Sequence, residues 1–92
     1  MELSLLLNLI DKIGADKIFG FVFELGDRIL YKGENKFDKS HIDEESQTLK
    51  YVTEDANGIP VITYHPISRI HHIFTVENAE DVDKVSRRYL IG

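Results

Sequence analysis

The residues best suited to chemistry lie together in one segment, VITYHPISRIHHIF, residues 61–74. This segment contains His65, His71 and His72, three of the four histidines in the chain, and also Arg69. An imidazole can transfer protons or bind a metal near neutral pH, and a guanidinium can bind a phosphate or carboxylate through two hydrogen bonds. The segment is therefore the first candidate for a metal site, a catalytic centre or an anion-binding surface.

A zinc site needs more ligands than this segment offers in one place. If residues 69–76 form a strand, alternation sends the side chains of His71 and His72 to opposite faces of the sheet, unless a bulge intervenes. His72 would then face the core or its rim, and His71 the surface. Even with His65 from the preceding strand, at least one ligand is missing. We therefore expect neither a bound metal nor another cofactor.

Signatures of catalysis are also missing from the sequence. Ser68 lies between two histidines, but there is no Gly-x-Ser-x-Gly elbow, and no glycine-rich phosphate loop opens a helix. The chain has no cysteine, which excludes disulfides and thiolate ligands and suits a cytoplasmic protein. A non-enzymatic protein is therefore favoured over a metal-dependent enzyme.

Hydrophobic periodicity predicts a helix near each end of the chain. The first helix ends at Gly14. Leu5 and Leu9 widen its apolar stripe, which indicates that the helix is covered on more than one side, for example by a second copy of the protein. The second helix covers residues 78–92 with Asn78 as its N-cap. The stripes consist of Leu3, Leu6, Leu7, Ile10 and Ile13 in the first helix and Val82, Val85 and Tyr89 in the second.

Between the helices, alternating patterns predict five short antiparallel strands. Gly26 turns the first pair into a hairpin, and Asn57 and Gly58 do the same for the second pair. Residues 33–47 are polar and predict a long loop with at most one helical turn. Pro66 ends the fourth strand, and one short turn leads to the fifth. The predicted strands are residues 17–25, 28–32, 48–54, 59–65 and 69–76. Strict alternation puts Phe19, Phe21, Phe23 and Leu25 on one face of the first strand.

These elements predict one α+β domain over residues 1–92. Its architecture is either a small antiparallel sheet or a barrel of about five strands, with an N-terminal and a C-terminal helix. In VITYHPISRIHHI, an apolar strand runs through one short turn into a closing strand. This order resembles the junction of the SH3-like and Sm-like small barrels, and the resemblance implies a closed barrel. An open sheet with helices packed on one face satisfies the same pattern.

A second resemblance rests on LLLNLI, residues 5–10, and ITYHPISRI, residues 62–70. These segments are similar to the first helix and a histidine-containing strand of an archaeal domain proposed to recognise cyclic phosphate ends of RNA. The resemblance implies that His65 and Arg69 face the RNA end as a cationic pair suited to phosphate. His71 and Tyr64 complete the predicted set of ligand-binding or RNA-binding residues.

Charge and hydrophobicity rank the functions that remain. With 16 acidic and 11 basic residues and a formal net charge of −5, the chain is poorly suited to nonspecific binding of nucleic acid. Asn8 and Asp11 interrupt the apolar N-terminal run, so neither a signal peptide nor a membrane span is expected. The apolar stripes exceed what a 92-residue monomer covers easily. We therefore favour a binding module that forms a homo-oligomer or binds another protein, with an RNA-binding small barrel as the alternative.

Overall fold

The described residues form two helices and six short strands. The computed structural model describes the backbone of residues 1–91 and the side chains of residues 1–89. The helices are α1 (Leu3–Ile13) and α2 (Val82–Ile91), and the strands are β1 (Ile18–Phe23), β2 (Arg28–Leu30), β3 (Ile42–Asp43), β4 (Thr48–Glu54), β5 (Pro60–Pro66) and β6 (Ile70–Thr75). The predictions of an α+β class, of two hairpins and of a helix near each end are confirmed. The second helix begins at Val82 and not at the predicted Asn78, since residues Ala79–Asp81 form a 3₁₀ turn and the Asn78 side chain makes no capping hydrogen bond. The predicted end of the second helix, Gly92, lies outside the described residues.

The strands form two antiparallel sheets rather than one closed barrel. The first sheet has the order β2-β1-β6, and the second has the order β3-β4-β5. A closed barrel would need backbone hydrogen bonds between β4 and the segment formed by β2 and its following loop. In this structure the backbone carbonyls there accept hydrogen bonds from side chains. Tyr31 donates to Lys50 (3.1 Å), Tyr51 to Leu30 (2.9 Å) and Asn35 to Val52 (2.9 Å). Of the two predicted architectures, a small antiparallel sheet or a barrel of about five strands, the structure has no closed barrel, and its antiparallel strands form two three-stranded sheets within the described residues.

The main core lies between the two sheets and is centred on Tyr31. The Tyr31 side chain is fully buried, and its ring meets the edges of Phe21, Phe37 and Tyr51 at centroid distances of 6.1, 5.3 and 5.4 Å. Its backbone carbonyl accepts a hydrogen bond from the Ser86 hydroxyl of α2 at 3.0 Å. Tyr31 therefore connects both sheets and α2. Leu6 and Ile10 of α1 and Leu49 of β4 complete this core.

A second, smaller core covers the opposite face of the first sheet. The register between β1 and β6 shifts between Ile18 and Gly20, and this irregularity turns Phe19 away from the main core. Phe19 stacks on Phe74 at 5.4 Å and packs against α2. Strict alternation along β1 was therefore a wrong prediction. Leu25, predicted on the same face, lies in the hairpin turn and is 91% exposed.

The polar segment before β4 is more ordered than the predicted loop. Residues Lys39–His41 form one 3₁₀ turn, and the Asp38 side chain caps it by accepting a hydrogen bond from the Ser40 N–H at 2.7 Å. The single helical turn predicted here is thus present as a 3₁₀ turn. Phe37 is buried in the main core, which the polar composition of the segment did not indicate.

Candidate functional site: a cleft and an open strand edge

The structure brings His65 and Arg69 together at one cleft of about 360 Å³, the His65–Arg69 cleft. β5 supplies His65, and the 3₁₀ turn Ile67–Arg69 supplies Arg69. Pro66 has no N–H to give to a ladder, so the strand ends there and the chain turns. The Arg69 carbonyl then accepts a hydrogen bond from the Glu24 N–H at 2.9 Å. The hairpin between β1 and β2 lines the rest of the cleft with Phe23, Asp27, Arg28 and Ile29.

His65 is a packed side chain within this cleft. Its ring stacks on Phe23 with centroids 5.1 Å apart, and Nε2 lies 2.8 Å from the hydroxyl of Thr63. Burial lowers the pKa of the His65 imidazole, and the carboxylate of Asp27 opposes this shift only in part. The ring is therefore uncharged at neutral pH. It offers a ligand a hydrogen bond, so the positive charge of the predicted pair rests on the Arg69 guanidinium.

Two guanidinium groups give the cleft its positive charge. Within the described residues, no carboxylate lies within ion-pair distance of the Arg69 guanidinium. Arg28 donates through Nη2 to the Tyr89 carbonyl at 2.8 Å, and its guanidinium lies 6.0 Å from the centre of the Tyr89 ring. Asp27 offsets one of the two charges. The cleft has room for one small anionic group, which the two guanidinium groups would attract and the Asp27 carboxylate would partly repel.

His71 lies beside His72 on β6 and is not among the residues that line the cleft. On β1, Phe23 pairs with Ile70 and Val22 pairs with His72, so His71 is an extra residue in a bulge. The bulge brings the two histidine Nδ1 atoms to 2.9 Å. Both side chains are exposed. The prediction that they point to opposite faces is therefore wrong. His72 was predicted to face the core or its rim, and its ring lies at the rim of the second core, 5.5 Å from the ring of Phe74.

These histidines do not complete a metal site. Two imidazole nitrogens fall short of the three protein ligands that even a catalytic zinc needs. Among residues 1–91, no group of three or more histidine, aspartate or glutamate side chains could hold a metal ion. A metal-dependent enzyme thus finds no geometric support in this part of the chain. The same residues include no helix that is both long enough and apolar enough to cross a membrane.

Tyr64 lies outside the cleft, on a strand that has one free side. Within residues 1–91, β5 pairs with β4 and with no other strand. The ladder is bracketed by hydrogen bonds from Ile67 N–H to the Gln47 carbonyl and from Asp55 N–H to the Ile59 carbonyl. In an antiparallel ladder, residue pairs that exchange backbone hydrogen bonds alternate with pairs that do not. Odd-numbered residues of β5 therefore bond to β4, and even-numbered residues direct their backbone groups outward.

We call these outward-directed backbone groups the β5 edge. They are the N–H and C=O groups of Ile62 and Tyr64 and the carbonyls of Pro60 and Pro66. Because proline has no N–H, the β5 edge has two donors, with a proline on each side of them. Pairing with β4 runs through the whole of β5 with no register shift. The edge is therefore regular and ready to pair with another extended chain.

The side chains next to the β5 edge are apolar and uncovered. Ile62 is 48% exposed and Tyr64 is 60% exposed. Val52 of β4 lies opposite Ile62, and these three side chains form what we call the outer patch of the second sheet. β5 contains no Asp, Glu, Lys or Arg, although 29% of the chain is charged. Edge strands normally avoid unwanted pairing through charge, shortness, bulges or proline. β5 has no charged side chain and no bulge, and its two prolines stand only at its ends, where they leave the backbone groups of Ile62 and Tyr64 unblocked.

The other edge strands are protected in these ways. β2 has three residues and β3 has two, and the bulge at His71 interrupts β6. On the side of β4 away from β5, the carbonyls of Lys50 and Val52 accept hydrogen bonds from the Tyr31 and Asn35 side chains. Among the edges that the structure describes, β5 is therefore the one open to strand addition.

A wider cleft of about 570 Å³ opens where the two sheets diverge, next to Leu30 and Tyr51. Its rim carries Lys32, Glu34 and Glu54, so charges of both signs are mixed there. This cleft offers little chemistry that would select one ligand over another.

Comparison with known proteins assigns no family. No protein-family model, curated protein or solved structure matches the chain. The resemblances to small barrels and to the archaeal RNA-end domain therefore remain predictions, and the function has to be argued from the chain's own geometry. Sequence reasoning missed the β5 edge, although one signal was readable. The chain's only two prolines, Pro60 and Pro66, enclose an uncharged strand.

Proposed function

We propose that this chain is a small non-enzymatic binding module that recruits an extended segment of a protein partner to the β5 edge. The carrying observation is that a regular, uncharged, seven-residue strand lies at the edge of a sheet, and that no other strand of the described chain pairs with this edge. Unpaired backbone groups at an edge are a template for another strand. The absence of cysteine supports the cytoplasm as the proposed location.

The proposed binding mode is strand addition. The backbone groups of Ile62 and Tyr64 supply main-chain hydrogen bonds that any extended segment can satisfy. Selectivity comes from the outer patch, because alternate side chains of the added strand lie on the same face as Ile62 and Tyr64. The preferred segment carries β-branched or aromatic residues at those positions and no charge directly opposite.

A peptide titration tests this proposal. The probe is a capped peptide of alternating Thr and Val, equal in length to the seven residues of β5, observed through the amide signals of the isotope-labelled protein. We expect the Ile62 and Tyr64 amides to shift and to become protected from hydrogen exchange. A peptide with Lys at the Val positions should bind less well, since charge at a strand edge opposes pairing.

A matched pair of variants serves as the control. Ile62→Lys places a charge in the outer patch, and Val61→Lys makes a similar change at a neighbouring residue whose backbone groups face β4. Val61 is 40% exposed, close to Ile62. Peptide binding should fall by about tenfold in Ile62→Lys and change less in Val61→Lys. Equal effects of the two variants, or no peptide binding to the unmodified protein, would refute strand addition.

A second candidate function is RNA binding at the His65–Arg69 cleft. One observation favours it: two arginines and a histidine line the same cleft. The net charge of −5 opposes it, as do Asp27 within the cleft and the pairing of two lysines with carboxylates elsewhere. An RNA ligand would use the Arg69 guanidinium on a phosphate and a hydrogen bond from neutral His65.

Fluorescence anisotropy with RNA oligonucleotides that have linear or cyclic 3′ ends tests this candidate. Arg69→Ala should weaken binding by about tenfold, while Arg87→Ala, an equal change of charge on α2, should have a smaller effect. Binding that falls equally in both variants would indicate nonspecific attraction. The absence of binding at low salt would retire RNA as a partner.

A further inference from the structure

We infer that the extended segment that pairs with the β5 edge is β5 of a second copy of this chain. The inference rests on the proposed function, because it names the partner of the same edge. The two strands would run antiparallel across a two-fold axis and join the second sheets of both copies into one six-stranded sheet.

The hydrogen-bonding groups of the β5 edge are self-complementary about Thr63. When the two strands are centred on Thr63, Ile62 of one copy lies opposite Tyr64 of the other, and the reverse. Each of these pairs exchanges two backbone hydrogen bonds, so all four donors of the two edges are satisfied. Pro60 of each copy then lies opposite Pro66 of the other, where neither proline has an N–H to leave unpaired.

The side chains fit the same register. The outer patches of the two copies join into one apolar surface, with Ile62 directly opposite Tyr64 twice. Aromatic and β-branched residues form favourable cross-strand pairs when they lie directly opposite each other. No Asp, Glu, Lys or Arg side chain lies on either β5, so the pairing brings no like charges together along the strand.

Shifted registers between the two strands lose the favourable pairs between Ile62 and Tyr64. Moving one strand by two residues puts Ile62 opposite Ile62 or Tyr64 opposite Tyr64, and it pairs the remaining apolar residue with a proline. A shift by one residue would place the wrong backbone groups at the interface, because alternate residues already bond to β4. The register centred on Thr63 is therefore the one that the structure assigns.

Sedimentation velocity tests for the dimer. We expect the protein to pass from monomer to dimer between about 1 and about 200 micromolar, since a homodimer forms by mass action. Ile62→Lys should weaken dimerisation by about tenfold or more, and Val61→Lys should weaken it less. Tyr64→Pro is the second variant, because it removes one outward donor and no hydrogen bond to β4. Thermal unfolding checks that each variant is folded.

A single cysteine tests the register, because the chain has no cysteine of its own. In the centred register the two Thr63 residues form a non-hydrogen-bonded pair with Cα atoms about 4.5 Å apart, within the range that a disulfide spans. Thr63→Cys should therefore form a cross-linked dimer under mild oxidation. Val61→Cys should not, because the two residues 61 lie about 13 Å apart along the strands.

The outcomes separate this inference from the proposed function. A dimer that Ile62→Lys dissociates and Thr63→Cys cross-links supports both. A protein that stays monomeric, but whose Ile62 and Tyr64 amides become protected by the Thr-Val peptide, overturns the inference and leaves the proposed function standing. A dimer that is weakened by neither Ile62→Lys nor Tyr64→Pro uses another surface, and this result also overturns the inference. A monomer that binds no peptide overturns both.

Discussion

The two sheets differ in how their outer faces are treated. The outer face of the first sheet carries Phe19 and Phe74, and α2 packs over it through Val82 and Tyr89. The outer face of the second sheet carries the outer patch, over which no element of the described chain packs as α2 does on the first sheet. Both faces are apolar, so the sequence pattern alone treats them alike. This difference in cover is the reason that we propose the second sheet as the surface for a partner.

The same contrast holds for the strand edges. The exposed edge of the first sheet, at β6, is broken by a bulge that brings His71 and His72 together. The exposed edge of the second sheet, at β5, is regular and uncharged. An edge that is disrupted is protected from pairing, and one that is left regular is available for it. If the two sheets differ in energy as they differ in cover, substitutions on the covered face of the first sheet should cost more stability than substitutions in the outer patch.

The largest effect is expected from Phe19→Ala. Phe19 is 2% exposed and stacked on Phe74, so truncation leaves a cavity under α2 and should lower the free energy of unfolding by about 3–5 kcal/mol. Ile62→Ala in the outer patch should cost less than about 1 kcal/mol, since that side chain is about half exposed. Urea unfolding at low micromolar protein, where any dimer dissociates, measures both. Similar losses would mean that the outer patch is covered.

Gly20→Ala is the second test of the covered sheet. A Cβ at this position would lie 2.8 Å from the Ile29 carbonyl oxygen and 2.7 Å from Leu30 Cδ2. A backbone oxygen cannot move aside cheaply, so we expect a loss of about 1–3 kcal/mol by overpacking. The midpoint of thermal unfolding reports this loss. An unchanged midpoint would show that β1 and β2 can separate without penalty.

Ser86→Ala should have a smaller effect. Its buried hydroxyl donates to the Tyr31 carbonyl at 3.0 Å, which ties α2 to the strand region that carries Tyr31. Loss of this hydrogen bond should lower the free energy of unfolding by about 1 kcal/mol. Ser4→Ala, at an exposed position on α1, is the control and should leave the value nearly unchanged. A loss no greater than that of the control would show that α2 is held by its apolar contacts alone.

The smallest effect concerns pH and His65. The pKa of His65 is lowered in the folded protein, so the unfolded chain binds a proton more readily, and stability should fall as pH drops through the window below about pH 6.5. The charged side chains of Asp27, Arg28 and Arg69 line the same cleft as His65. The unfolding midpoint of the unmodified protein should therefore fall more between about pH 7 and about pH 5 than that of His65→Gln. Identical pH profiles would mean that His65 titrates as it does in the unfolded chain.

Local patterns were enough to predict much of the fold. The stripe from Leu3 to Ile13 and the turn residues Asn57 and Gly58 specify a helix and a hairpin through neighbours in sequence. The approach of His65 and Arg69 was also predictable, because only the short turn after Pro66 separates them. The lack of cysteine and of catalytic motifs narrowed the functions in the same way.

Tertiary packing alone decided the rest. The irregularity at Phe19 and the bulge at His71 arise from how β1 and β6 fit together, and each one reverses the face that alternation predicts for its neighbours. The burial of Phe37 and the division into two sheets follow from Tyr31, whose contacts join segments distant in sequence. The sequence therefore determined which segments become helices and strands. Packing determined which faces and edges were covered, and so left β5 as the open edge.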